Sequence, residues 1–102
     1  MSQASISEVT PGIFNLVGVL DYVSAPALRE QGARLLKASA ATGCVLDCTA
    51  VEKSSSVGIA LLLAFMRDAI AVDKTLSVRN LPEDMHQIAE VCGLLEILPL
   101  QS

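Results

Sequence analysis

At 102 residues the chain has the length of one domain, expected over 1–102, and it can bury roughly 65% of the surface it exposes when unfolded without help from metals or disulfides. Hydrophobic residues make up 52% of it but aromatics only 3%, so the core is aliphatic and few rings are free to stack on bases. A net charge of −4 further disfavours nucleic acid or an anionic membrane surface as the main partner.

The opening MSQASISEVTPG has neither a basic n-region nor a long apolar h-region, so it does not read as a secretory signal. The longest apolar run, Val57 to Met66, is about half of the ~20 residues a spanning helix needs. A cytoplasmic protein with no direct membrane insertion is the expectation.

In chain order, SISEV (5–9) and IFNLVGVL (13–20) read as two strands around the turn TPG. DYVSAP follows, with Ser24 placed to cap a helix, Asp21 to order the loop into it, and Pro26 tolerated in its first turn. Leu28, Gly32, Leu35 and Leu36 then form one stripe of an amphipathic helix, with Arg29, Glu30, Arg34 and Lys37 opposite. AATG ends it, and Gly43 suits a left-handed C-terminal cap.

CVLDC (44–48) reads as a short strand carrying Asp47 near its end. Residues i and i+4 of a strand stand about 13 Å apart, whereas a disulfide needs Cα atoms within about 7 Å, so Cys44 and Cys48 cannot bridge. With His86 the only histidine, a zinc site is poorly supplied; Cys44, Cys48 and Cys92 are expected to be buried structural thiols, and no metal or cofactor is expected.

TAVEKSSS (49–56) reads as a loop and a second helix is expected over about 57–71. After the turn DK comes a strand, TLSVR, with Leu76 and Val78 on one face. Pro82 opens a third helix on which Met85, Ile88, Ala89 and Cys92 share a face, Gly93 stops it, and LLEILPL is a short extended tail or edge strand. Helical crossovers between strands require part of the sheet to be parallel and covered by helices. The fold class is α/β, a mixed, partly parallel sheet with three to four helices.

Two features exceed what folding requires. Ser54, Ser55 and Ser56 lie where a loop beyond a strand enters a helix, the end of an open α/β sheet at which ligands and partners gather. A serine there can cap the free amides of the first turn or carry a phosphate that the helix terminus favours. The helix itself is apolar on every side, which means either deep burial between layers or an exposed side that meets a partner. Asp47 reads as a residue that holds loop amides. No pattern ties His86 to a serine nucleophile, so an enzyme is not expected.

Together, GVLDYVSAPALRE, VLDCTAVEKSSSVGIALLL and LSVRNLPEDMHQIAEVCGLLEILPL resemble a STAS domain (sulfate transporter and anti-sigma factor antagonist) from about residue 6 to 100. The most specific stretch is Asp47, Thr49 and Val51, then Ser56 and Gly58. Phospho-regulated members carry an acidic residue, two hydroxyl residues and a glycine at Ser55, Ser56, Val57 and Gly58, so their phosphorylated serine corresponds to Ser56. Here Ser55 stands in place of the acid and Val57 in place of the second small residue.

Gly58 to Leu63 and the ending LLEILP are most similar to the small STAS subunits of bacterial Mla-type phospholipid ABC transporters. The resemblance implies a non-catalytic accessory subunit in a system of phospholipid transport and outer membrane lipid asymmetry. It would be cytoplasmic and peripheral at the inner membrane, docking on an MlaF-like ABC ATPase subunit through Ser55, Ser56, Val57, Gly58 and Ile59, with Asp47 and Thr49 ordering the loop. Absence of any Walker motif agrees with a subunit that binds no ATP itself. The alternative it implies is an anti-sigma factor antagonist switched by phosphorylation at Ser56.

Overall fold

A computed structural model describes residues 4–100; residues 1–3 and 101–102 of the expected domain lie outside the described residues. The chain runs β1 (Ser5–Thr10), β2 (Ile13–Leu20), α1 (Ala25–Ala38), β3 (Gly43–Asp47), β4 (Val51–Ser54), α2 (Ser56–Ala71), β5 (Thr75–Arg79) and α3 (Glu83–Val91). It is a single α/β domain.

β1 and β2 form an antiparallel hairpin whose turn carries Gly12 at φ +83, a left-handed conformation that a side chain would strain. β2 pairs parallel with β3, and β3 with β5, giving the order β1-β2-β3-β5. Phe14, Leu46 and Val78 stand in one row across the three parallel strands and are all buried. They join the inward residues of the helices in one core cluster, while Ile13, Asn15, Val17, Val19 and Val45, pointing the other way, are only half-buried.

β4 lies within the segment read as a loop. It pairs parallel with the far end of β2, Gly18 opposite Val51 and Leu20 opposite Ser54, beyond the stretch of β2 that β3 reaches. Only Val51 and Ser54 of its four residues point inward, and the exposed pair Glu52–Lys53 between them breaks the alternation by which a strand is recognised. Unpaired backbone at the end of β2 makes this strand, not the side chains of β4.

Several other expectations are corrected. Ser24 does not cap α1 with its side chain; its hydroxyl accepts from the Asp21 N–H and donates to the Val19 carbonyl. α1 ends at Ser39 in extended conformation, and Gly43 is already the first residue of β3. Cys44 and Cys48 are buried free thiols, but Cys92, the C-cap residue of α3, is exposed. The tail is mostly turn, with Leu98 buried and a single parallel bridge from Leu100 to Val78.

α2 resolves its own anomaly. It packs on α1, α3 and β5, so much of its circumference is covered within the domain. Gly32 of α1 admits the Phe65 ring of α2: a Cβ at position 32 would fall 2.2 Å from it. Seven α2 residues are buried, and Ile70 is its one large apolar side chain that stands mostly exposed. Three surrounding elements, rather than a partner, account for most of its apolarity.

Candidate docking site at the start of the second helix

The three serines take three different roles. Ser54 closes β4 with its side chain inside; its N–H donates to Asp84 of α3 at 3.3 Å and its hydroxyl to the Ser55 carbonyl at 2.7 Å. Ser55 is the N-cap of α2, extended in backbone, its hydroxyl accepting from the Val57 N–H at 3.2 Å. Among caps, serine and aspartate serve alike, so Ser55 provides the capping bond that an acid here would give, without the charge. Ser56, the first helical residue, is exposed, and its hydroxyl takes no hydrogen bond among the described residues.

The other expected contact residues divide. Val57 is half-exposed, but Gly58 and Ile59 are buried, Ile59 at 3% exposure within the core. A partner at this end of α2 therefore cannot cover the Ile59 side chain. Counting along the helix from Ser56, the outward stripe is Ala60, Leu63, Arg67 and Ile70. With Leu94 and Ile97 of the tail this stripe walls an open, mostly apolar groove of about 440 Å³.

Asp47 orders the neighbouring loop. One carboxylate oxygen accepts from the Thr49 N–H at 2.9 Å, the Thr49 hydroxyl at 2.5 Å and Asn80 at 3.3 Å; the other accepts from Arg79 Nε and Nη2 at 3.2 and 3.0 Å. Burial pushes the carboxyl up, yet the bonds from Thr49, Asn80 and Arg79 outweigh it and hold the group well below the usual carboxylate range. These bonds go to Thr49 and the end of β5, none to the serines. His86 is exposed on α3 without a side-chain hydrogen bond, and no group of His, Cys, Asp or Glu among the described residues could hold a metal ion. Nor is any described helix long and apolar enough to cross a membrane.

Two residues at this end of the molecule went unread in the sequence. Tyr22 and Val23 are 81% and 89% exposed in the loop that leaves β2. The pairing of Leu20 with Ser54, and the Ser55 N–H donating to the Leu20 carbonyl at 3.1 Å, set that loop beside the start of α2. The legible signal was two apolar residues caught between Asp21 and Ser24, a turn that holds its own backbone and leaves its middle outward.

Comparison with known proteins gives a family and a fold. The STAS_2 family model, described as "Mlab, STAS domain", matches residues 6–99. No curated protein matches the chain. Among solved structures, a chain of the Acinetobacter MlaFEDB complex in an ATP-bound conformation superposes with a TM-score of 0.77 at 24% identity, covering 87% of this chain and 93% of that one. An anti-sigma factor antagonist from Mycobacterium paratuberculosis gives 0.76 at 22%, covering 98% and 85%. The anti-sigma factor antagonist SpoIIAA in its unphosphorylated form gives 0.72 at 20%, covering 97% and 88%. At these identities the structural likenesses speak for the fold alone.

Proposed function

The chain belongs to the STAS-domain family in its MlaB-type branch, and from that premise we propose that it is a non-catalytic accessory subunit of a bacterial phospholipid-transport ABC system, docking on the ATPase subunit through the start of α2. The observation that carries this reading is the corner at the end of the sheet where β4 enters the helix, with Ser55 and Ser56 exposed and Val57 half-exposed. Ser55 satisfies one first-turn amide, so the corner is ordered before a partner arrives. Ser56 is left as a donor and acceptor for a cross-interface hydrogen bond, and covering the half-exposed Val57 adds about 1 kcal/mol. Gly58 and Ile59 serve the site from within, by packing its base. The subunit would sit on the cytoplasmic side of the inner membrane only through its complex.

A second reading rests on a specific observation: Ser56, which the resemblance aligns with the phosphorylated serine of anti-sigma factor antagonists, is exposed and open to a kinase. In that reading Ser56 phosphorylation would switch binding to a kinase-like anti-sigma factor. Affinity purification of the tagged protein from its own cells separates the two. Recovery of an ABC ATPase with its membrane subunits supports the first, and recovery of a serine-kinase-like anti-sigma factor replaces it with the second.

A further inference from the structure

We propose that Tyr22 and Val23 are the apolar anchor of this docking surface, seated in an aliphatic socket of the ATPase subunit beside the contact made by Ser55 and Ser56. The proposal rests on the docking reading above and adds to it the residues that supply most of the affinity.

One exposed apolar side chain is ordinary. Two adjacent ones on a loop built to hold them outward are not. Asp21 Oδ1 accepts from the Val23 and Ser24 N–H groups at 2.9 and 3.0 Å. The Ser24 hydroxyl accepts from the Asp21 N–H at 3.1 Å and donates to the Val19 carbonyl at 2.8 Å, and the Ala25 N–H closes on the Asp21 carbonyl at 3.0 Å. The loop thus meets its own backbone needs while Tyr22 and Val23 meet none of the domain's. A rigid loop loses little freedom on binding, and tyrosine is among the residues that most often dominate an interface.

Position says what covers them. Tyr22 lies two residues, at most about 7 Å of chain, from Leu20, whose carbonyl holds the Ser55 N–H. A protein contact of ordinary size, about 800 Å² per partner or roughly 16 Å in radius, centred on Ser55 and Ser56 takes in both. Charge argues against a lipid surface: the chain carries −4, Asp21 opens the loop itself, and the one cation that the pairing sets nearby, Lys53 opposite Val19, is matched by its neighbour Glu52. A two-fold pair meeting through this corner would set knob against knob and Asp21 against Asp21, so the corner does not complement itself. The partner's socket is therefore aliphatic, with a polar group at its rim for the Tyr22 hydroxyl and no carboxylate facing Asp21.

The test is titration of the purified ATPase subunit of the transporter with wild type, Tyr22→Ala, Val23→Ala, Ser56→Glu and, as control, the equally exposed Val91→Ala on α3, each with a thermal melt. Tyr22→Ala and Val23→Ala are expected to weaken binding about tenfold or more, Val91→Ala to leave it unchanged, and all to melt near wild type. If both anchor variants bind as wild type while Ser56→Glu does not, the anchor is wrong and the docking reading stands. If wild type fails to bind the ATPase, the docking reading falls and the anchor with it. Self-association, or sedimentation with phosphatidylglycerol vesicles, that Tyr22→Ala abolishes would assign the knob to a second copy or to lipid and overturn the proposal.

Discussion

Gly58 and Ser54 are in such close approach that a Cβ on residue 58 would fall 1.9 Å from the Ser54 hydroxyl oxygen, with Met85 and Leu20 at 3.1 and 3.2 Å behind it. The glycine is what lets the first turn of α2 lie on the end of β4, with α3 pressed against both. Gly58→Ala must push Ser54 out of its bond to the Ser55 carbonyl or lift the helix. The expected cost is about 2 kcal/mol, read as a lowered Tm. Unchanged stability would mean that the corner repacks freely.

Asp47 predicts an acid limb of stability. Its folded pKa lies below the ordinary value of 3.8, so its contribution is fully present above that value and is lost as the pH falls through it toward the folded one. Wild-type stability should decline from about pH 5 downward more steeply than that of Asp47→Asn. At pH 7 the variant should be destabilised by about 2 kcal/mol, the worth of hydrogen bonds to a charged group. Denaturant titrations across the pH range measure both slopes.

Ser56 separates folding from docking. A negative charge in the first turn of a helix is favourable by about 0.5 kcal/mol, so Ser56→Glu should melt at or slightly above wild type. In an apolar contact the same charge must be desolvated. Binding to the partner should therefore fall well below that of Ser56→Ala. A glutamate variant that binds as tightly as wild type would place Ser56 outside the contact.

The cysteines predict a labelling pattern. Burial, reinforced by the charge of Asp47, pushes the Cys48 thiol up to about 12, and burial raises Cys44 as well. Cys92 is exposed. At pH 8 an alkylating reagent should modify Cys92 alone in the folded protein and all three thiols in denaturant, counted by mass spectrometry.

Much of the framework was legible in the chain: the bounds of β2 and β5, Pro26 in the first turn of α1, Gly93 ending α3 at φ +70, and the turn bonds of Asp21 and Asp47. All of these depend on local periodicity or on bonds within a few residues, which sequence spacing encodes directly. Assignment of the serine-rich corner as the place of interest came from the same local chemistry. What only the tertiary structure decided were matters of who lies beside whom. Whether Ile59 or Ala60 of an unbroken apolar helix faces outward depends on α1, α3 and β5 closing around it. β4 exists because the end of β2 offers unpaired backbone, and that pairing, joining Leu20 to Ser54 across more than thirty residues of chain, sets Tyr22 and Val23 next to Ser55. Such adjacency is made by hydrogen bonds between distant segments, to which neither hydropathy nor spacing along one segment is sensitive.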